Sequence, residues 1–146
     1  MKIALGSDHA GFSLKEIIKH ELKKNNYEII DCGTHNEDAV DYPDFAQKVA
    51  QQVSNKFADR GIMLCGSGVG ASIAANKIHG IRASVCHDTY SAHQGVEHDD
   101  MNILVLGARV VGQSLALEII SRFLKANFTN EERHVRRLEK IKALEN

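Results

Sequence analysis

The chain reads as an α/β protein: a mostly parallel sheet with helices on both faces. Three observations lead to that reading. Short apolar runs alternate with helical periodicity along the whole 146-residue chain. No linker, low-complexity segment or repeat of fixed period interrupts the alternation. The third apolar run enters a glycine-rich turn that opens a helix, as a strand–turn–helix unit does.

The elements follow in order. Ile3-Ala4-Leu5 is the first strand and leads into Gly6-Ser7-Asp8-His9. Leu14, Ile17, Ile18 and Leu22 fall on one face of the first helix. Tyr27-Glu28-Ile29-Ile30-Asp31-Cys32 is the second strand, ended by Gly33, and Phe45, Val49 and Val53 mark the second helix. Gly61-Ile62-Met63-Leu64-Cys65 is the third strand, and it enters Gly66-Ser67-Gly68-Val69-Gly70. A small-residue helix follows from Ala71 to about Lys77. Ile81-Arg82-Ala83-Ser84-Val85-Cys86 and Ile103-Leu104-Val105-Leu106 are the fourth and fifth strands. Leu115, Ile119, Ile120 and Phe123 line another helix. A last helix is expected over about 130–144, with Asn130 as its N-cap.

Composition bounds the function. The length suits one compact domain spanning 1–146. A hydrophobic fraction of 43%, a charged fraction of 25% and a formal net charge of −1 are ordinary for a globular protein. Nothing in that balance indicates a nucleic-acid or membrane binder. The apolar stretch after Met1 is too short for a signal peptide, and no run is long enough to span a bilayer. Cys32, Cys65 and Cys86 are odd in number and form no CxxC pair, which fits a reducing, cytoplasmic setting.

In parallel sheets ligands bind beyond the carboxyl ends of the strands. The segments after the strands are residues 6–12, 32–44, 65–71, 86–90 and 107–112. Among them, Gly66, Gly68 and Gly70 let the backbone approach a ligand, and the loop N–H groups with those of the following helix make an anion site. The plain alternative is a tight strand-to-helix turn. Cys65, at the end of its strand, faces that site, where a thiolate serves as a general base; a cysteine that merely packs is the competing reading. Asp8 and His9 lie on the same rim and suit sugar hydroxyls or phosphate, unless Asp8 simply caps a helix. His98 and Asp99 precede the fifth strand, and His98 is a candidate acid–base group or a structural histidine. Arg133 and Arg137, one turn apart, can hold a phosphate by forked contacts or form a solvated basic face; Arg109 is a third candidate for the same anion.

Two readings from other classes compete. Gly66-x-Gly68-x-x-Ala71 fits a dinucleotide fingerprint, with Asp88 near the spacing of a ribose-binding acid, but it lies on the third strand rather than the first. A non-catalytic nucleotide- or phosphate-binding module is the other, and it has no use for Cys65, Asp8 or His98.

Taken together, the segments resemble the type B ribose-5-phosphate isomerases, a family shared with galactose-6-phosphate isomerase subunits. The resemblance covers nearly the whole chain. It rests on Gly6-Ser7-Asp8-His9-Ala10-Gly11-Phe12, Asp41-Tyr42-Pro43, Cys65-Gly66-Ser67-Gly68-Val69-Gly70 with Ala74-Ala75-Asn76-Lys77, Gly80-Ile81-Arg82-Ala83, Gly107-x-Arg109-Val110-Val111-Gly112 and Arg133-His134-x-x-Arg137. It implies a Rossmann-like three-layer α/β/α sandwich with a five-stranded parallel sheet. It also implies a homodimer or homotetramer with shared active sites, using neither metal nor cofactor. The implied reaction interconverts ribose 5-phosphate and ribulose 5-phosphate. Cys65 matches the base that moves a proton between C2 and C1. Ser67 with the loop of Gly66, Gly68, Val69 and Gly70 matches the enediolate site, and His98 matches the ring-opening group. Asp8 and His9 match substrate contacts, and Arg109, Arg133 and Arg137 match binding residues. Ser67 stands where threonine is common, and Asp99 where asparagine is usual. A carboxylate can only accept where an amide donates, so Asp99 leaves open a six-carbon sugar phosphate such as allose or galactose 6-phosphate.

Overall fold

The computed structural model describes residues 1–145. Five parallel strands, β1 (Lys2–Ser7), β2 (Glu28–Asp31), β3 (Arg60–Cys65), β4 (Ala83–Val85) and β5 (Ile103–Gly107), lie in the order β2-β1-β3-β5-β4. The helices are α1 (Phe12–Lys24), α2 (Tyr42–Ser54), α3 (Val69–Ala75), α4 (Thr89–Asp99), α5 (Gln113–Lys125) and α6 (Glu132–Lys142).

Period-two alternation sorts the strand side chains into two cores. Ile3, Leu5, Ile62, Leu64, Leu104 and Leu106 pack with Ile18, Leu22, Val96, Ile119 and Phe123, under α1, α4 and α5. Ala4, Met63, Cys65, Ile103 and Val105 pack with Ala46, Val49, Val53, Ala71 and Ala75, under α2 and α3. The result is the expected three-layer α/β/α arrangement.

Several expectations are corrected in detail. Helix α4 was not expected, because Ala92 and Val96 are its only buried apolar residues, too sparse to show a period. Asp88 caps it by accepting from the Ser91 N–H at 2.6 Å, which accounts for an acid at that spacing without a ribose. Ile17 is 38% exposed, and Lys15 occupies the buried face of α1 instead. Asn130 does not cap α6: its φ is +57°, whereas a cap needs an extended backbone, and Glu131 at φ −65°, ψ 142° takes that place. Strand β4 is three residues long rather than six. The side-chain amide of Asn76 takes both the N–H and the carbonyl of Ala83, each at 2.8 Å, and so occupies the outer edge of the strand. Arg82 ties the approach to β4 to the end of α4 through the carbonyl and carboxylate of Asp100, at 2.8 and 2.9 Å.

Lys15 is fully buried, and its Nζ lies 2.7 Å from Asp31 Oδ1 and 3.4 Å from Glu16. Lys19 bridges the other oxygen of Asp31 at 2.8 Å and Glu16 at 2.7 Å. The Gly33 N–H also donates to Asp31 at 2.9 Å. Burial pushes the Asp31 carboxyl up, but the bonds from Lys15, Lys19 and Gly33 outweigh it and bring it from the ordinary 3.8 to about 2. The cluster fixes the point where β2 becomes a rim loop. Just beyond it the Ser7 N–H donates to the Gly33 carbonyl at 2.6 Å, and the Thr34 N–H to the Ser7 carbonyl at 2.7 Å.

Replacing Asp31 by Ala leaves a buried ammonium without its nearest partner, and is expected to cost about 3 kcal/mol in urea unfolding at pH 7. Because the folded carboxyl is depressed, its contribution is complete above pH 3.8 and fades as pH falls through about 2. The gap between wild type and Asp31→Ala should therefore narrow between pH 4 and pH 2. A gap that stays constant over that window would remove the ion pair as its cause.

Candidate active site

The chain leaves β1 toward α1 on one face and β3 toward α3 on the other, which opens a crevice beyond their carboxyl ends. The crevice is an open cleft of about 660 Å³. Asp8, Cys65, Gly66, Ser67, Val69, Gly70 and Arg109 line it, as the sequence leads one to expect. Tyr42, Ile73 and Val110 complete the lining.

Cys65 is 4% exposed, and its Sγ accepts from the Gly68 N–H at 3.1 Å. Ser67 is exposed, and its Oγ accepts from the Val69 N–H at 3.2 Å. Two N–H groups of the expected anion nest are thus engaged inside the loop. The gain is that the Ser67 hydroxyl proton stays free to donate outward. Gly68 adopts φ +84°, and a Cβ there would stand 3.2 Å from the Gly107 nitrogen and the Leu106 carbonyl carbon. The loops after β3 and β5 are bonded to each other, the Ala108 N–H to the Cys65 carbonyl at 2.8 Å and the Arg109 N–H to the Gly66 carbonyl at 3.0 Å. The Arg109 guanidinium therefore lies over Gly66, where a Cβ would be 3.3 Å from its nitrogen.

On the other wall Asp8 is 6% exposed. Its N–H donates to the Leu64 carbonyl at 3.1 Å, and its carboxylate accepts from the Gly11 N–H, also at 3.1 Å. Asp8 therefore both lines the cleft and closes the turn ahead of α1. His9 Nδ1 accepts from the Val40 N–H at 3.1 Å, which leaves the ring proton on Nε2 and pins the loop after β2 to the rim. Tyr42 was not singled out as a site residue, although Asp41-Tyr42-Pro43 was noted as a motif. Its ring lies against the first turn of α3, where a Cβ at Gly70 would come within 2.4 Å of it.

The remaining expected residues lie apart from this cleft. His98, in the last turn of α4, stacks on His134 of α6 with ring centroids 4.0 Å apart. Asp99 lines a different cavity, about 540 Å³, beside the outermost strand β4. Arg137 is exposed, and Arg133 pairs with Glu131 at 3.3 Å. Within one chain, Arg133 and Arg137 do not join Arg109 at the Cys65 cleft. Burial, then the neighbouring His98 and Arg133, hold the His134 imidazole below its ordinary range. Among the described residues, no three His, Cys, Asp or Glu side chains converge as a metal site requires, and no helix is long and apolar enough to cross a membrane.

Comparison with known proteins places the chain in a family. The family model described as Ribose/Galactose Isomerase matches residues 3–141. Ribose-5-phosphate isomerase B of Escherichia coli K12 is 47% identical over 144 residues, 99% of this chain and 96% of that protein. The structure of Clostridium thermocellum ribose-5-phosphate isomerase B is 54% identical, with a TM-score of 0.97 over 99% of this chain and 97% of the other. A Mycoplasma genitalium ribose-5-phosphate isomerase B structure with bound ribulose-5-phosphate is 42% identical, with a TM-score of 0.93 over 99% of this chain and 95% of the other.

Two glycines isolate the role of crowding in the cleft. Gly68 and Gly80 both sit at positive φ, +84° and +81°, but a Cβ at Gly80 meets nothing within 4 Å. Gly80→Ala should cost about 1 kcal/mol, the left-handed backbone term alone. Gly68→Ala should cost at least about 1 kcal/mol more, since backbone atoms must shift. Equal urea midpoints for the two variants would show that Gly68 is needed for its conformation only.

Proposed function

Because the chain belongs to the ribose/galactose isomerase family, we propose that it interconverts ribose 5-phosphate and ribulose 5-phosphate by moving a proton between C2 and C1. The observation that carries the reading is the Cys65 sulfur, held at the cleft by the Gly68 N–H beside a serine hydroxyl with a free proton. The whole chain, 1–146, acts as one cytoplasmic isomerase unit.

The chemistry asks for a base, an oxyanion site and a phosphate anchor. Cys65, as thiolate, takes the C2 proton of the open-chain aldose and returns it to C1. Gly68 directs its N–H at that sulfur. Ser67 donates to the enediolate oxygen as charge develops there. Gly66, Gly68, Val69 and Gly70 shape the loop so that the substrate approaches backbone rather than side chains. Asp8 and His9 contact the sugar from the opposite wall, and the phosphate binds arginine. Binding energy from that remote group orients the reacting carbons. No step needs a metal or a cofactor.

His98, Asp99, Arg133 and Arg137 enter the site from a second copy of the chain. They share one end of α4 and α6, away from the cleft that holds Cys65, Ser67 and Arg109. A two-fold axis brings that end of each chain to the cleft of the other, reciprocally. The His98–His134 stack supports a crossing in which His98 accompanies the arginines. This reading takes the assembly as a homodimer at least, or a homotetramer of such pairs.

Cys65→Ala should lower turnover at least about a hundredfold while ribose 5-phosphate still binds, as loss of a general base does. EDTA should leave the wild type unchanged. Near-normal turnover in the variant, or loss of activity with EDTA, would overturn the corresponding step. Cys65→Ala and Arg137→Ala homodimers should each be nearly inactive. Equal amounts, after verified subunit exchange, should recover about a quarter of wild-type sites by symmetry. No recovery would return Arg137 to the same chain's site.

A further inference from the structure

We propose that His134 and Gln94 are positioning residues for His98: they hold its ring in one plane and its neutral proton on Nε2 for opening of the furanose ring. The inference rests on the reading of His98 as the ring-opening group. Gln94 lies one helical turn before His98 on α4, and its amide nitrogen is 2.7 Å from His98 Nδ1. An amide nitrogen only donates, so Nδ1 is the acceptor and the neutral ring carries its proton on Nε2.

His134 supplies the second constraint. It is 1% exposed, and its ring lies against that of His98 with centroids 4.0 Å apart and planes 25° from parallel. Its Nδ1 is 2.7 Å from the Thr129 hydroxyl. The same hydroxyl oxygen accepts from the Glu131 N–H at 3.4 Å, which ties the His134 ring to the turn ahead of α6, and burial, then the neighbouring His98 and Arg133, favour its neutral form. The N-terminal half of α6, with Arg133 in its first turn and Arg137 in its second, adds to burial in opposing a positive charge on His134. Of the carboxylates nearby, Glu131 pairs with Arg133 at 3.3 Å, and Glu97 pairs with His93 at 3.1 Å. His98 is thus wedged between a buried neutral platform and a one-way hydrogen bond, with Nε2 as its only proton-bearing atom.

A neutral imidazole in that state opens the ring without storing charge. The Nε2 proton passes to the ring oxygen as its bond to C1 breaks. The C1 hydroxyl proton leaves as the carbonyl forms and returns to Nε2 through a water. The loop closes with His98 unchanged, which suits a group beside two arginines.

Substrate chemistry separates this step from proton transfer. Ribose 5-phosphate is a furanose in solution, whereas ribulose 5-phosphate, with O5 phosphorylated, has no hydroxyl placed to close a five-membered ring. Exchange of its C1 hydrogen with solvent therefore reports Cys65 chemistry alone. In the intact protein, His134→Asn keeps a partner for Thr129 but removes the stacking face. It should lower kcat on ribose 5-phosphate roughly tenfold with KM within about twofold, and leave C1 exchange of ribulose 5-phosphate within about twofold. His134→Phe restores a face and should recover most of kcat. Parallel loss of turnover and exchange, no loss of turnover, or a Phe variant as slow as Asn would each overturn the assignment. Should His134→Asn fail to fold, ring 15N NMR decides. The wild type should show His98 Nδ1 unprotonated, and Gln94→Glu, whose carboxylate only accepts, should move the proton to Nδ1. A wild-type proton already on Nδ1 overturns the inference. His98→Asn is the control: if it does not itself separate turnover from exchange, the ring-opening reading fails and this inference with it. A clear separation there with none in His134→Asn overturns the positioning role alone.

Discussion

The catalytic end of the sheet depends on Gly68 occupying a place where no side chain fits. Its φ of +84° turns the chain back after β3, and its Cα lies against the Leu106 and Gly107 backbone, 3.2 Å from where a Cβ would be. Gly107 is constrained in return, since a Cβ there would meet the Ser67 carbonyl at 2.6 Å. Each loop thus requires a glycine in the other. Because they interlock, the Gly68 N–H reaches Cys65, and Ala108 and Arg109 bond to the carbonyls of Cys65 and Gly66. The relative placement of Cys65, Ser67 and Arg109 is a property of the backbone. That is the kind of preorganisation that costs nothing at the moment of reaction.

The opposite wall is held by different means. Here the rim follows β1 and β2, where no glycine pair interlocks. A buried ammonium does the equivalent work: Lys15 and Lys19 grip both oxygens of Asp31, and Gly33 donates to the same carboxylate. Such an ion pair adds little net stability against an apolar replacement, because desolvation offsets attraction. Its value is directional, since it leaves β2 one geometry in which to turn. From there the chain reaches Val40, whose N–H fixes the His9 tautomer, and Tyr42, whose ring closes onto Gly70. The second wall is therefore tied to the first through α3.

What the sequence disclosed follows from which interactions are local. The strands were legible because alternation along Ile62, Met63, Leu64 and Cys65 records two buried faces directly. The glycine loop was legible because its conformation is written in residue type. Helix α4 was not, since its burial rests on two small contacts and on a capping carboxylate, Asp88, that also resembles a ligand-binding acid. Lys15 was not legible as a core residue, because its burial depends on Asp31, sixteen positions away. Tyr42 was within a noted motif but gave no sign of its role, which exists only against Gly70 in space. The His98–His134 contact was equally hidden, joining residues thirty-six positions apart on helices packed by tertiary structure.

The separation of the expected residues into two groups has a physical logic. One chain offers a cleft with a thiol, a hydroxyl and a single arginine, open to solvent on the side where Val69, Ile73 and Val110 are each more than half exposed. Apolar side chains at the mouth of a polar site favour being covered. The same chain carries, elsewhere, two exposed arginines and a histidine whose ring is already oriented but which faces no base. On the proposed roles neither half is sufficient: the first has one arginine for a dianion, and the second has no thiol for a carbon-bound proton. In the proposed dimer a two-fold axis joins them, and each supplies what the other lacks. Such a joint would also exclude water, so that the Gly68 N–H, the Ser67 hydroxyl and the arginines would act in a medium of lower dielectric, where each is worth more. On that proposal assembly is a condition of catalysis, since an isolated subunit retains the geometry of each part but not their meeting.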